Sequence, residues 1–516
     1  MEAGQLLEKD KKPEVVVTEP VRQRKSEKSS LSDVWPQVLV SCISLSSVIQ
    51  AGINLAFSGI LLPQLADDPN IEHFTKAEAS WIASLSAFSL PVGSIIAGPL
   101  MDRFGRRTLC ILQNIPLTAS WIIVYFTTTS LWPLYVARLM SGFGGGLTVV
   151  GLVYTAEISH VSYRPILLSL NSVNVAFGIL ITTVVGVYLD WHQCAIVFGL
   201  FAFVCLLLTI ILPESPYWMA TFTDAPLEDI KIVVKYLNRG EKIFTEEWQR
   251  IQEAISKRRQ LMVEENHDKS WPKQFMDTCR MFKERTAFIP TIILVALFLF
   301  QQISGTYVVI FYTLNIFQSI GTDYGYGFDR YSATVALGVI RFIMSFVSTG
   351  CSKVMGRRSI MLISSLLMAV SICMSSGFLY LNGIHTIDFS TNPTNTTTHD
   401  NPKAVNDWWI IGSILIYVCA GSFGLMVIPW AIVGELLPTK VRAFGSGLII
   451  SYGSVLMFII IKTFPYSIDL VTLPGVFLAY GVMSFVMTAF VYFYLPETLG
   501  KSFQEISKYF SKSSDT

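Results

Sequence analysis

Two charged runs stand out in a chain that is otherwise apolar. Gly98-Pro99-Leu100-Met101-Asp102-Arg103-Phe104-Gly105-Arg106-Arg107 follows one apolar block, and Gly356-Arg357-Arg358 follows another. Glu157 closes a third block with Arg164 seven residues on, and Glu435 closes a fourth with Arg442 at the same interval. Glu214 and Glu497 each follow Leu-Pro at the end of a further block. A carboxylate at a helix end accepts hydrogen bonds from backbone N–H groups and pairs with arginine. The set Asp102, Arg103, Gly105, Arg106, Arg107, Glu157, Arg164, Glu214, Arg357, Arg358, Glu435, Arg442 and Glu497 therefore reads as a conformational latch. Opposite charges at helix ends hold together in one state and separate in the other. The plainer alternative, in which each charge merely anchors a helix end at the lipid headgroups, is weaker for a set that recurs.

Gln301 and Gln302 form a second group, adjacent amides inside an apolar run. Such groups are costly in a membrane unless they face a wet cavity or a partner helix. Enzyme chemistry is not indicated. No Ser-His-Asp grouping, metal-ligand cluster or phosphate loop is present, and histidine is scarce at six. The glycines Gly142, Gly144, Gly145 and Gly146 lie within an apolar block without a following Gly-Lys-Ser/Thr. They read as close helix packing and not as a nucleotide loop. The eight cysteines form no CxxC pair and mostly sit in apolar blocks, where they act as small apolar residues. No metal and no cofactor is expected.

These residues have to be positioned by membrane-spanning helices. The chain has 516 residues with 52% hydrophobic and 15% charged, and its mean hydropathy is +0.51. Soluble domains run nearer a quarter charged. Twelve apolar blocks of bilayer-spanning length are read at about 35–57, 81–100, 109–128, 132–156, 166–189, 193–212, 288–316, 333–351, 360–381, 408–433, 444–461 and 473–495. The fold class expected is an all-α membrane protein of twelve transmembrane helices. Assigning loops to alternate sides leaves Lys76, Arg330, Lys403 and Lys462 on one side and Arg138 and Arg341 within spans. The remaining 32 of the 38 Lys and Arg share the side of the N-terminus, which predicts cytoplasmic termini. A net charge of +1 offers no surface for nucleic acid. The partner expected is the lipid bilayer, with function as a monomer.

The charged markers recur in the same order in both halves, which is the signature of duplication. The predicted organisation is a polar cytoplasmic tail at 1–34, without a signal-peptide core and expected to be disordered. A six-helix half at 35–213 follows, then a linker at 214–286, a second six-helix half at 287–496 and a tail at 497–516. Ile230, Val233, Val234 and Leu237 fall at helical spacing among charges and predict amphipathic helices in the linker. On the opposite side, Asn395-Thr396-Thr397 is an acceptor pattern for N-glycosylation, whereas Asn392 is followed by Pro.

The motifs resemble those of the sugar porter branch of the major facilitator superfamily. Asp102-Arg103-Phe104-Gly105-Arg106-Arg107 matches the superfamily's loop signature. Pro213-Glu214-Ser215-Pro216-Tyr217-Trp218, Pro496-Glu497-Thr498-Leu499-Gly500, Gln301-Gln302-Ile303-Ser304-Gly305 and Pro429-Trp430 resemble sugar porter motifs over residues 35–510. Within the branch, Ser304-Gly305-Thr306-Tyr307-Val308 looks most like insect proteins grouped as facilitated trehalose transporter-like. The resemblance implies two pseudo-symmetric halves working by alternating access around a site at mid-membrane. It implies Gln301 and Gln302 as sugar contacts, Trp430 as the aromatic beneath the sugar, and Tyr312 as an aromatic of the outer gate.

Departures from the pattern bear on the substrate. Tyr307 stands where hexose porters usually carry Asn, Ser172 where span five usually has Gln, and Gly453-Ser454 where span eleven has Asn-Trp. These exchanges are expected to open room for a larger polyol such as a disaccharide. Lys353-Val354 stands where the second loop should carry Asp-Arg, which weakens the latch there. Arg341 in span eight either faces the cavity or, as the plainer expectation, snorkels to the outer surface. Span one carries no Asp, Glu, Lys, Arg or His, whereas proton-coupled relatives typically have a carboxylate there. The expectation is a facilitative carrier of a hexose or trehalose in the plasma membrane. A proton symporter, a carrier of another small organic solute and a non-transporting sugar sensor are the alternatives. The short stretch after the last span argues against the sensor.

Overall fold

A computed structural model describes residues 31–71, 74–160, 163–264, 280, 282, 284–321, 328–352, 354–387, 407–437, 442–499 and 510. Asn395, Lys353 and Lys403 lie outside them, as do the side chains of Glu435 and Arg442. Eleven helical stretches among the described residues are long and apolar enough to cross a membrane. The last covers Gly445–Tyr494 and is divided at Thr472, whose φ of 64° and ψ of 165° break the helix, so the chain makes twelve spans.

In the first half, α1 (Leu31–Asp67), α2 (Lys76–Phe104) and α3 (Arg106–Phe126) are the first three spans. The fourth is α4 (Trp132–Leu147) with α5 (Val149–Ile158), and α6 (Arg164–Tyr188) and α7 (Trp191–Ile210) complete the half. Three polar helices follow: α8 (Pro216–Phe222), α9 (Leu227–Leu237) and α10 (Glu241–Glu264). In the second half the seventh span is built from α11 (Arg285–Ile303), α12 (Thr306–Phe311) and α13 (Thr313–Ile320). α14 (Arg330–Cys351) and α15 (Arg357–Leu381) are spans eight and nine, and α16 (Asp407–Phe423) with α17 (Ile428–Leu436) is span ten. α18 (Arg442–Tyr494) supplies the last two. The first span therefore runs ten residues beyond the sequence estimate, because Ser58, Pro63 and Gln64 lower hydropathy without ending the helix.

Leu200, Ile343, Phe346, Leu366, Val482 and Phe485 are exposed, an outward apolar surface that suits lipid. Inside, glycines set helix spacing. A Cβ on Gly142 would stand 2.1 Å from the Ser86 carbonyl and one on Gly146 2.2 Å from that of Leu90, so α4 lies directly on the α2 backbone. Gly52 and Gly178 do the same between α1 and α6, each 2.1 Å from a facing carbonyl. Capping fixes several starts: Thr75 and Glu78 form a capping box on α2, and Asp329 accepts from the Ser332 N–H at 2.8 Å on α14.

The halves meet where α1 faces α12 and α13, α2 faces α18, and α6 faces α14. The polar helices dock on one end of the first half, called here the linker face. Gln37 of α1 donates to Asn238 at 2.6 Å, the Arg239 N–H donates to the Asp33 carbonyl at 3.1 Å, and Leu237 is buried beside Val40 and Leu212.

Candidate functional site

Spans seven and ten are broken at mid-course, and the breaks face each other. Gly305 leaves α11 with φ +79°, where a Cβ would strike the Tyr480 ring at 2.2 Å, so glycine alone fits this turn. In span ten the helix opens over residues 424–427. Interrupted backbone at this depth needs partners from the protein, and they are present. Tyr417 donates to the Ser304 carbonyl at 2.5 Å, and the Leu425 N–H donates to Ser364 Oγ at 3.0 Å.

Gln301 lies beside both breaks. It is fully buried and its Nε2 donates to the Leu425 carbonyl at 2.7 Å. Among the described residues Gln302 reaches only Gln301 Oε1, at 3.5 Å. The Trp430 ring on α17 meets Phe298 edge-on at 5.2 Å, and the Tyr307 hydroxyl lies beside the Trp430 indole. Gln301, Gln302, Tyr307 and Trp430 are thus brought into one neighbourhood. Ser172 is half-buried on α6 with no hydrogen bond to its side chain among the described residues. Tyr312 sits further along span seven, fully buried, donating to the Ile461 carbonyl at 3.2 Å with its ring 5.1 Å from Phe464.

Two expectations need correction. The room expected from Gly453 is filled, because a Cβ there would lie 2.4 Å from the Phe298 ring. Arg341 does not snorkel. It stands eleven residues into α14, about 16 Å along the helix, and is 6% exposed. The sequence shows the guanidinium in the span but not its depth relative to the break in span ten.

The charged set forms two matching clusters on the linker face. Glu214 accepts from the Arg106, Arg107 and Ser215 N–H groups at 2.9, 3.1 and 2.9 Å, capping α3. Glu497 accepts from the Arg357 and Arg358 N–H groups at 2.8 and 3.2 Å, capping α15. Gly105 and Gly356 admit these carboxylates, since a Cβ would stand 2.4 and 1.9 Å from them. Arg107 donates to the Ile210 carbonyl at 2.8 Å and Arg358 to that of Tyr492, so duplication extends to single hydrogen bonds. Arg106 pairs with Glu157 at 2.9 Å and Asp102 at 3.3 Å, and Ser215 donates to Glu157 at 2.5 Å. Arg103 is exposed over Phe104, and Arg164 donates to the Ser159 carbonyl at 3.0 Å.

All these bonds lie within a half. Among the described residues the polar contacts between halves are on the far face. Lys76 meets Asp469 at 2.5 Å, and Lys462 donates to Ser80 Oγ at 2.7 Å while lying 3.9 Å over the Trp81 ring. Phe458 packs on Phe88 at 5.1 Å below them. Two cavities of about 570 and 540 Å³ open on this face around Tyr188 and Tyr331, and neither touches Gln301, Gln302 or Trp430. The far face is therefore closed. Lys76 and Asp469 are 27% and 59% exposed, so their pair contributes no more than about 1 kcal/mol. Asp469→Asn is expected to shift the closed population about two- to fivefold, read as faster alkylation of a cysteine placed at position 84, a buried site one helical turn from Ser80. Unchanged labelling would show that the pair does not hold the face.

Comparison with known proteins agrees with this architecture. The family model described as "Sugar (and other) transporter" matches residues 39–510. Facilitated trehalose transporter Tret1 of Aedes aegypti is 28% identical over 482 residues, covering 92% of this chain but 55% of the relative. The protein of the same name from Polypedilum vanderplanki is 27% identical over 479 residues, with 92% and 88% covered. This chain thus spans about half the length of the first relative and most of the second. Among solved structures, the inward open conformation of the xylose transporter XylE from E. coli aligns with a TM-score of 0.70 at 18% identity, covering 92% and 99% of the two chains. With twelve spans, two halves carrying matched Glu214 and Glu497 caps, and a family match over almost the whole length, the chain belongs to the sugar (and other) transporter family, the sugar porters of the major facilitator superfamily.

Proposed function

We propose that the protein carries a neutral sugar, a hexose or the disaccharide trehalose, down its gradient by alternating access. The observation that carries this reading is the pair Gln301 and Gln302 buried between two broken spans beside Trp430. Amides donate and accept with hydroxyls, and an indole covers an apolar sugar face. The trehalose transporters among the relatives support a disaccharide. Lys and Arg crowd the linker face, which we assign to the cytoplasm, with the chain in the plasma membrane as a monomer. The far-face contacts then describe an inward-facing state, and the two charged clusters are the latch that rearranges when the carrier turns outward.

Uniport is supported by the first half's interior. The buried polar side chains of α1 are Gln37, Ser41, Ser44, Ser47, Gln50, Asn54 and Ser58, all neutral. Arg138 donates to the Asn54 and Ile82 carbonyls and to Ser58 and Ser86, with no carboxylate among its described partners. In proteoliposomes, labelled glucose or trehalose is expected to equilibrate and to show counterflow, without accumulation under a proton or sodium gradient. Gradient-driven accumulation would sink uniport. Absence of counterflow for both sugars would sink the substrate reading.

A further inference from the structure

Arg341 is the largest polar expense in the second half that the sugar reading leaves unexplained. Its guanidinium carries five donors, and its one described hydrogen bond runs from Nη1 to Met426 Sδ, a weak thioether acceptor. Nε is buried with no partner. A buried cation is retained only with compensation, and unpaired it costs several kcal/mol. No acidic residue lies within 285–321, 331–351, 357–381, 408–433, 442–468 or 470–494 of the second half, nor within 164–188 of α6, which faces α14. Protein carboxylates therefore do not supply the counter-charge at this depth.

The position of the guanidinium says where a counter-charge would come from. Met426 belongs to the break in span ten, next to Leu425, whose carbonyl holds Gln301 at 2.7 Å. Tyr307, whose hydroxyl sits beside Trp430, is also within electrostatic reach of Arg341. Arg341 thus borders the neighbourhood assigned to sugar. A solute lying on Trp430 and hydrogen-bonded to the two amides would bring one end to the free edge of the guanidinium.

We propose that Arg341 is a specificity-determining contact of the central site, which takes sugars bearing one carboxylate, of the aldonate or uronate class, as well as neutral ones. The planar fork matches a carboxylate in two parallel hydrogen bonds. One guanidinium neutralises one carboxylate, whereas a phosphate monoester would leave charge uncompensated in the membrane. The inference rests on the central site being a sugar site.

The test uses the full chain in proteoliposomes. Uptake of labelled D-glucose is measured against D-glucuronate and D-glucuronamide, which differ in a carboxylate against a neutral amide. Glucuronate is expected to inhibit at about tenfold lower concentration, the size of one charge-assisted hydrogen bond. In Arg341→Gln the two should inhibit alike, and Arg341→Lys should keep part of the difference. Equal inhibition in the unmodified protein overturns the proposal, and that arm does not depend on any variant folding. Failure to take up glucose or trehalose would be a failure of the sugar reading. Counterflow of labelled glucuronate, lost in Arg341→Gln, would still uphold the role of Arg341, and its absence would overturn it.

Discussion

Gln301→Ala is expected to lower the uptake efficiency, kcat/KM, of the neutral sugar about 10- to 100-fold, with normal delivery to the membrane. Loss of one or two hydrogen bonds in a buried site, at about 1.4 kcal/mol per factor of ten, accounts for that range. The substitution has a second effect, because it strips the Leu425 carbonyl of its 2.7 Å donor in the middle of span ten. Leaving a buried acceptor unpaired costs about 1–3 kcal/mol, so part of any loss could come through a displaced break. Gln302→Ala separates the two contributions. Among the described residues its amide reaches Gln301 Oε1, at 3.5 Å, a long bond, so removing it should lower the thermal stability in detergent less than Gln301→Ala does. If both amides contact sugar, Gln302→Ala raises KM with a smaller fall in melting temperature than Gln301→Ala causes. Should Gln302→Ala leave KM untouched while Gln301→Ala lowers melting temperature and uptake together, the amides are structural and the site assignment is wrong.

The contrast between these two glutamines marks what the sequence could disclose. Both were visible as amides in an apolar run, and periodicity and hydropathy were enough to place them on span seven. Their partners were not visible, because the Leu425 carbonyl is free only where span ten opens over 424–427, and Gly421 and Gly424 do not by themselves specify a break. The same holds at Thr472. Its positive φ turns the chain between the last two spans at a threonine, a residue without the turn chemistry of glycine or asparagine. Charges at helix ends were far more legible. Glu214 and Glu497 follow identical Leu-Pro pairs, and capping is a local interaction that travels with the motif. Long-range packing escapes such reading: Gly453 looked like space, yet Phe298 from another span fills it. The depth of Arg341 escapes the sequence for a related reason. Hydropathy locates a span to within a turn or two, and snorkelling differs from burial by about that distance.

Arg106→Ala should have the largest effect on the linker face. Its side chain is 6% exposed and that of Glu157 12% exposed, and the two meet at 2.9 Å. Removing one member of a buried pair leaves the other uncompensated, at about 3–5 kcal/mol. Arg106 also donates to the Met101 carbonyl at 2.9 Å and packs over Phe222 at 5.1 Å, so neither Lys nor a charge-swapped pair restores its role. Glu157→Gln should be milder, since an amide oxygen still accepts from Arg106. Arg103→Ala, at an exposed residue whose described contact is the Phe104 ring, should change stability by less than about 0.5 kcal/mol. The functional signature distinguishes a latch from a brace. Arg106 joins the ends of α2, α3 and α5, which under the proposed latch would re-pair when the carrier turns outward. If the cluster is remade in each cycle, maximal uptake by Arg106→Ala falls at least about tenfold, while KM, set at the site proposed around Gln301 and Trp430, moves less than about twofold. A lowered melting temperature with unchanged maximal rate would mean that the cluster braces one state and takes no part in the exchange.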